Sequence, residues 1–307
     1  MDTSVTATEV SRIIEEHLKT LPECGRFVEA AFFGGSFTGI SPQKQCELLA
    51  VAKKYKDEGK IDGIRLSTRP DCISDEILKR LEDYGVTTIE LGVQSMDEEV
   101  LRKSLRGHSA QDVESAVGLI RKYPFKLGLQ MMTGLPGDTM EKSIETAKKI
   151  IDLKPDFVRI YPTLVLRDTA LCRLYEQGKY LPQTLDEAVA LCKELLIMFR
   201  SCGIDVIRVA LATTEEISDS GSVVAGPFHS AFRELCEGEI YYDMLCEKLE
   251  EDAEICDFFV NPSEISKAVG NKKKNITRLE EKYGRHIRIK GDATVMRGKI
   301  KVGRNEN

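Results

Sequence analysis

The alternation of short apolar runs with amphipathic helical patterns most constrains what this 307-residue chain can fold into. Parallel strands need a crossover of a dozen or more residues, usually a helix, so the alternation predicts an α/β fold with βα units and a parallel sheet. The strand-like runs are RFVEAAFFG, IDGIRLST, VTTIELGVQ, FKLGLQMMTG, DFVRIYPTLV and, later, IDVIRVALA. The helical patterns lie near residues 7–21, 42–58, 74–84, 109–122, 139–153 and 185–202.

Helix starts in the chain carry capping signals. Ser41 precedes a proline at the first helical position, and Ser74 and the pair Asp138-Thr139 place hydrogen-bond acceptors before their helices. Each strand therefore leads through a loop into a helix. In such a sheet, whether closed or open, ligands bind at the carboxyl ends of the strands, so GGSFTG, STRPD, GVQS and TGLPGD should share one face.

The stretch AAFFGGSFTGI ends an apolar run on two adjacent glycines and a hydroxyl, Gly34, Gly35 and Ser36. Glycine has no Cβ and adopts positive φ readily, so a ligand or another segment can lie directly on the main chain there. By itself this pattern is more often a tight turn.

Two following loops add candidate ligand-binding side chains. Arg69 either faces a ligand or pairs with Asp71. In ELGVQS the strand period of two puts Glu90, Gly92 and Gln94 on one side, which is typical of a polar ligand wall with room made by the glycine.

Arg106 has the planar fork that suits a carboxylate or phosphate, although a surface salt bridge is the alternative. The neighbouring His108 is predicted to be a solvated cap. Tyr161 and Arg167 are candidate wall residues of the barrel mouth, equally suited to core packing and a salt bridge. The pattern indicates no catalytic acid or base.

Composition excludes some classes of protein and site. No apolar run approaches the roughly 20 residues that span a bilayer, and MDTSVTATEV lacks the features of a signal peptide, so a cytoplasmic location is expected. The nine cysteines are scattered, with no pair two or three residues apart, and predict no metal site by spacing.

Charge is unevenly distributed along the sequence. Residues 261–307 hold 13 Lys and Arg against 5 Asp and Glu, a net charge of +8, whereas the rest of the chain has −14. A basic segment on an acidic body suggests contact with a polyanion such as nucleic acid, and a solvated lysine-rich surface is the alternative.

Taken in order, FFGGSFTGI, STRPD, ELGVQS, LRGH, MMTGLPG and IYPTLVLRDTALCRLYEQGKY resemble the radical S-adenosylmethionine (radical SAM) family, and within it the Elongator-like branch. These motifs cover roughly Ala30 to Tyr180. The resemblance implies a partial (βα)6 barrel and a 5′-deoxyadenosyl radical made from S-adenosylmethionine by a [4Fe-4S] cluster, acting on RNA, in that branch tRNA.

The same resemblance assigns cofactor-binding residues. Gly34 and Gly35, with Ser36, would contact the methionine moiety of S-adenosylmethionine, Gln94 its ribose and Arg106 its carboxylate. Ser67 stands where relatives often carry a glutamate.

The sequence departs from the family at the cluster. The C-x3-C-x2-C loop expected upstream of the glycine pair is absent, and Cys24 is the only cysteine before it, whereas a cluster needs three protein thiolates with one iron left open. The first strand of the barrel is expected to be missing too. Either the product is incomplete, or it is a cluster-free barrel that binds a nucleotide or RNA without catalysis. A barrel enzyme of another chemistry is a third alternative.

The basic segment resembles a KH module, which clamps a nucleic-acid backbone at a G-x-x-G loop between two helices. Here the helices are predicted at 262–269 and 274–283, with a strand at 287–290. The candidate RNA-binding residues are Gly270, Lys272, Lys273 and Lys274, with Lys273 in the place of the second glycine. The predicted domains are a barrel at 1–215, a helical linker at 216–257 and the KH-like module at 258–307, with a Ser/Gly-rich linker or loop at 218–227.

Overall fold

A computed structural model describes residues 5–22, 25–211, 222–252 and 255–304. The chain divides into two compact units: residues 1–161 with 198–208, and residues 162–197 with 209–307. The helices of eight or more residues are α1 Ala7–Thr20, α2 Pro42–Asp57, α3 Asp75–Asp83, α5 Ala110–Ile120, α6 Met140–Asp152, α8 Leu185–Ser201, α9 Phe232–Glu251 and α11 Lys274–Tyr283. The shorter ones are α4 Glu98–Lys103, α7 Ala170–Glu176 and α10 Ile265–Val269.

The strands follow the predicted runs closely. They are β1 Glu29–Phe32, β2 Gly63–Thr68, β3 Thr88–Gln94, β4 Lys126–Thr133, β5 Phe157–Pro162, β6 Val165–Leu166, β7 Asp205–Val209, β8 Val223–Ala225, β9 Ile255–Val260, β10 Arg288–Gly291 and β11 Lys301–Arg304. The first five predicted βα strands and the helices that follow four of them are thereby confirmed.

Capping side chains begin the helices where the sequence predicts. The Ser41 hydroxyl accepts from the Lys44 amide with Pro42 at the first turn, and Ser74 caps α3 in the same way. At α6 the capping residue is Thr139, while Asp138 binds the preceding loop. These local bonds fix where each loop after a strand ends.

The first unit contains a curled six-stranded sheet in the order β1-β2-β3-β4-β5-β7. The pairs β1·β2, β2·β3 and β3·β4 are parallel. Because each βα unit adds its strand beside the preceding one, with no reversal of order, the sheet is a partial barrel and not a doubly wound sheet. The partial-barrel prediction is confirmed.

The second unit contains a small sheet in the order β10-β9-β11, with β10 parallel and β11 antiparallel to β9. Its core joins Leu245 and Leu249 of α9 to Phe258 of β9 and Leu279 of α11, all buried. Helix α9 thus shares a core with the basic segment.

The predicted small C-terminal α+β module is present. The domain boundaries at 215/216 and 257/258 stay predictions, and residues 218–221 of the predicted linker lie outside the described residues. No helix in the described ranges is long and apolar enough to cross a membrane.

Candidate functional site

The glycine turn after β1 leaves its backbone open. Gly34 has φ +94° and Gly35 φ +153°, both in the region that favours glycine. A Cβ placed on Gly34 would meet nothing within 4 Å. The turn therefore has free space beside its main chain, as the approach of a ligand requires.

Ser36 is used to join two strand-end loops. Its hydroxyl lies 2.8 Å from Thr68 Oγ1 and accepts from the Arg69 amide at 3.2 Å. Thr38 Oγ1 extends this contact, at 2.5 Å from Thr68 Oγ1 and 2.6 Å from the Cys72 carbonyl. The side chain of Ser36 thus holds the glycine turn against the end of β2.

Gln94 ends β3 in a conformation that is rare for its residue type. Its φ is +65°, the side chain is buried, and its Oε1 accepts from Gln130 Nε2 at 3.2 Å. A Cβ on Gly92 would lie 2.7 Å from Gln94 Nε2. The space that Gly92 leaves is therefore taken by the Gln94 amide, and the role of this face as a ligand wall stays a prediction.

The segment from residue 106 to 108 runs across the ends of three strands. Arg106 Nη2 lies 2.8 Å from Met132 Sδ near the end of β4, and His108 Nε2 lies 3.0 Å from the Val93 carbonyl in β3. The Gly107 carbonyl accepts from Arg69 Nη2, just after β2, at 3.0 Å. The predicted solvated cap at His108 is wrong, because that residue is only 8% exposed and its ring contacts the main chain of β3.

Arg106 is the most unusual charged group of this region. Its Nε is buried and has no hydrogen-bond partner among the described residues. Burial lowers the pKa of the guanidinium, since desolvation penalises the charged form. A half-buried cation that faces a thioether but no carboxylate is suited to receive an anion.

Arg69 and Glu90 have partners within the protein. Arg69 forms two bonds with Asp71, at 2.8 and 2.6 Å, so the predicted pairing is confirmed. Glu90 is 2% exposed and lies between the guanidinium groups of Arg65 and Arg159, at 2.7 and 2.6 Å. The Glu90 carboxylate is therefore satisfied inside the sheet.

A buried charge layer crosses the inside of the curled sheet, and sequence reasoning missed most of it. Arg65 also binds Glu29 Oε2, through Nε at 3.0 Å, so the layer runs from Glu29 to Arg65, Glu90 and Arg159. The third residue is charged in three of the strands: Arg65 in β2, Glu90 in β3 and Arg159 in β5. A charged residue inside a largely apolar strand is the sequence signal that could have identified this layer.

The two predicted wall residues Tyr161 and Arg167 fall in different units. The Tyr161 hydroxyl lies 3.4 Å from Arg159 Nη1, at the end of the charge layer. Arg167 lies in the second unit, where its amide donates to the Ser222 carbonyl.

The predicted RNA-binding loop connects α10 to α11. Gly270 has φ +79°, and a Cβ there would lie 2.8 Å from the Asn275 side chain. Lys272 and Lys273 have φ +52° and +64°. Lys273, in the place of the second glycine, therefore keeps the left-handed backbone that a glycine would favour.

Asn275 anchors this loop from below. Its buried Nδ2 donates to the carbonyls of Gly238, Lys267 and Ala268, at 2.8, 3.4 and 3.2 Å. Above it, Lys274 Nζ lies 3.3 Å from Glu239, whereas Lys272 and Lys273 are exposed with no ion-pair partner in the described ranges. The two lysines thus present free charge on a fixed loop.

The cysteines in the described ranges do not fit an iron–sulfur cluster. The described residues contain no group of three His, Cys, Asp or Glu that could hold a metal ion, and their cysteines are free and scattered. Cys24 lies outside the described residues. The full sequence contains no C-x3-C-x2-C.

Residues 5–150 match the radical SAM superfamily, and residues 155–242 match the radical SAM C-terminal domain. The chain belongs to the radical SAM superfamily. It is 35% identical over 123 residues to a tRNA uridine(34) acetyltransferase of Dehalococcoides mccartyi, and 32% identical over 182 residues to Elongator complex protein 3 of Schizosaccharomyces pombe. Elongator-like proteins are therefore its relatives within the superfamily.

These matches cover only part of each protein. They include 39% and 58% of this chain but 27% and 33% of the two relatives. The solved structure of the archaeal Elp3 of Methanocaldococcus infernus with an N-terminal deletion aligns with a TM-score of 0.64 and 24% identity, over 80% of this chain and 59% of that one. That likeness supports the fold.

Proposed function

We propose that the strand-end site of the first unit binds S-adenosylmethionine and that the chain acts on RNA, specifically tRNA, in the cytoplasm. The observation that carries the first part is the buried Nε of Arg106, which has no hydrogen-bond partner among the described residues. Arg106 lies in one of the strand-end loops, as do the open glycine turn and Gln94. A half-buried guanidinium with no carboxylate partner among the described residues is best explained by a carboxylate on a ligand.

The residues of the site fit the parts of that ligand. Gly34 and Gly35 leave room and main-chain groups for the methionine amine, and Arg106 provides a fork for its carboxylate. Gln94, held by Gln130, offers its amide nitrogen for a ribose hydroxyl. Ser36 would support the turn without contacting the ligand itself, because its hydroxyl already joins Thr68 and Arg69.

For S-adenosylmethionine, the residues of the site support binding and no redox step. S-adenosylmethionine supplies a 5′-deoxyadenosyl radical in this superfamily when an iron–sulfur cluster reduces it, but the part of the chain that the structure describes holds no ligand group that fits such a cluster. The residues present bind and orient the nucleoside and its amino acid, and no electron-transfer step is assigned to them.

The RNA part rests on the loop from Gly270 to Lys273. Its two free lysines project from a backbone held by Asn275, which suits contact with successive phosphates. The tRNA-acting names of the relatives agree with this chemistry, and tRNA is therefore the proposed RNA.

Isothermal titration calorimetry of the full chain with S-adenosylmethionine tests the first part. One saturable site per chain is expected, and Gln94→Ala should weaken the binding. An absence of saturable heat at millimolar ligand contradicts the proposal.

Filter binding of the full chain to tRNA over a series of salt concentrations tests the second part. The double variant Lys272→Ala/Lys273→Ala should bind more weakly and lower the slope of log K against log salt by about 1 to 2. Lys299→Ala, an exposed lysine elsewhere in the same unit, is the matched control. Equal slopes in all three proteins would exclude the loop as the phosphate contact.

A further inference from the structure

An apolar groove of about 520 Å³ lies between α1 and the edge strand β1 and ends next to the glycine turn. Twelve of its fourteen lining residues are apolar. On the helix side, Ile13 and Leu21 remain 41% and 38% exposed although they face this groove. Single exposed apolar side chains are ordinary, but a lined groove of them indicates a binding surface.

The main chain of β1 forms one wall of the groove. Every residue from 28 to 33 lines it, without a break. Side chains of a strand alternate between two faces, so six consecutive lining residues mean that the edge of the strand, and not one face, borders the groove.

The hydrogen bonds of Val28 show which groups face outward. Its carbonyl accepts from the amides of Asp62 and Gly63, and its amide donates to the Asp62 carboxylate, so Val28 faces β2. Main-chain groups alternate along a ladder, and those of Glu29 and Ala31 therefore point into the groove. In the described sheet β1 has β2 as its one neighbour, and these groups belong to an open edge.

We propose that this edge accepts an extended, uncharged segment of a second polypeptide as an added strand. Main-chain N–H and C=O groups in a row are matched by another backbone, and a small ligand would leave most of them unpaired. The apolar lining selects apolar side chains, and of its two polar members Glu29 is already committed to Arg65. Six lining residues correspond to a guest of about six residues, roughly 20 Å long.

The direction of the guest strand has a consequence for the candidate site. Carboxyl ends of parallel strands meet at one edge of a sheet, so a guest parallel to β1 would end beside Gly34 and Gly35. The chain following it would then enter the strand-end site and could contribute side chains there. This consequence rests on the proposed function, whereas binding of the strand does not.

A labelled peptide tests the added strand directly. The probe is a fluorescein-labelled, capped hexapeptide of alternating valine and threonine, titrated with the full chain and followed by fluorescence anisotropy. A second peptide is N-methylated on its odd-numbered residues, and a third is N-methylated on its even-numbered residues. Only one edge of a guest strand pairs with β1, so one methylated peptide should lose at least tenfold in affinity and the other should bind like the parent.

The variant Ala31→Pro removes the outward N–H without breaking a bond to β2, as proline does on edge strands. Ala31→Pro should weaken the binding of the parent peptide at least tenfold. Ala31→Val, which keeps the N–H, should bind this peptide with unchanged affinity. Thermal melting checks that both variants fold, and the pair of methylated peptides on the unmodified chain needs no variant at all.

Three results would overturn the proposal. Equal binding of both methylated peptides would show that backbone pairing is not used. If dodecanoate competes with the peptide and binds the Ala31→Pro variant with unchanged affinity, the groove is a site for small apolar molecules. If light scattering shows that the chain alone is a dimer and that the Ala31→Pro variant is a monomer, the occupant is a second copy of the chain.

Discussion

The substitution Arg106→Gln is the sharpest test of how the candidate site works. It removes a half-buried cation whose Nε has no partner in the described part of the chain and whose Nη2 contacts the sulfur of Met132. If the guanidinium binds the ligand carboxylate, the loss of these charge-assisted bonds should cost about 2–3 kcal/mol of binding free energy. That corresponds to a Kd for S-adenosylmethionine about 30- to 150-fold higher.

Truncation of the ligand separates this effect from general damage. Methylthioadenosine has the nucleoside but no carboxylate, so Arg106→Gln should leave its Kd nearly unchanged. Arg106→Lys keeps a charge but not the planar fork, and an intermediate loss is expected. Arg102→Gln, an exposed arginine at the end of α4, is the matched control.

The stability of the ligand-free protein gives a second readout. A buried charge without a partner is unfavourable, so Arg106→Gln should melt no lower than the unmodified chain, and Arg106 should therefore be a residue kept for binding. Calorimetry and thermal melting together decide the point. Equal weakening of both ligands, or a lower melting temperature without an effect on binding, would refute the reasoning.

Three further predictions concern single contacts. Gly92→Ala should displace the Gln94 amide, which lies 2.7 Å from the added Cβ, and should weaken the binding of S-adenosylmethionine measured by calorimetry. Gly118→Ala, which has open space around it, should leave that binding unchanged. Asn275→Ala removes the buried amide that donates to the carbonyls of Gly238, Lys267 and Ala268 and should lower the free energy of unfolding in urea by about 2–3 kcal/mol, whereas Asn271→Ala in the same loop should not. Burial raises the pKa of Asp138, so its proton is held more tightly in the folded state; its contribution to stability is present at low pH and is lost as pH rises through the folded pKa. Urea unfolding between pH 4 and 7 should show this loss in the unmodified chain and not in Asp138→Asn, and parallel pH profiles would contradict it.

The sequence by itself determined the elements of this protein and the edge on which its loops gather. Period-two apolar runs, amphipathic helices and caps such as Ser41 and Ser74 are local signals, because they depend on residues within a few positions of each other. They were sufficient to predict the βα units, the strand-end position of the glycine turn and the shared face of Gly92 and Gln94. The helix, loop and helix of the basic segment were predicted for the same reason.

Only the tertiary structure decided which side chains meet. Arg65 contacts Glu29 and Glu90 on neighbouring strands, 36 and 25 residues away in sequence. His108, predicted to be a solvated cap, is buried against the Val93 carbonyl. The unpartnered Nε of Arg106 and the open edge of β1 likewise depend on strand order and register. Local patterns carry no information about these, because register is set by the packing of the whole sheet.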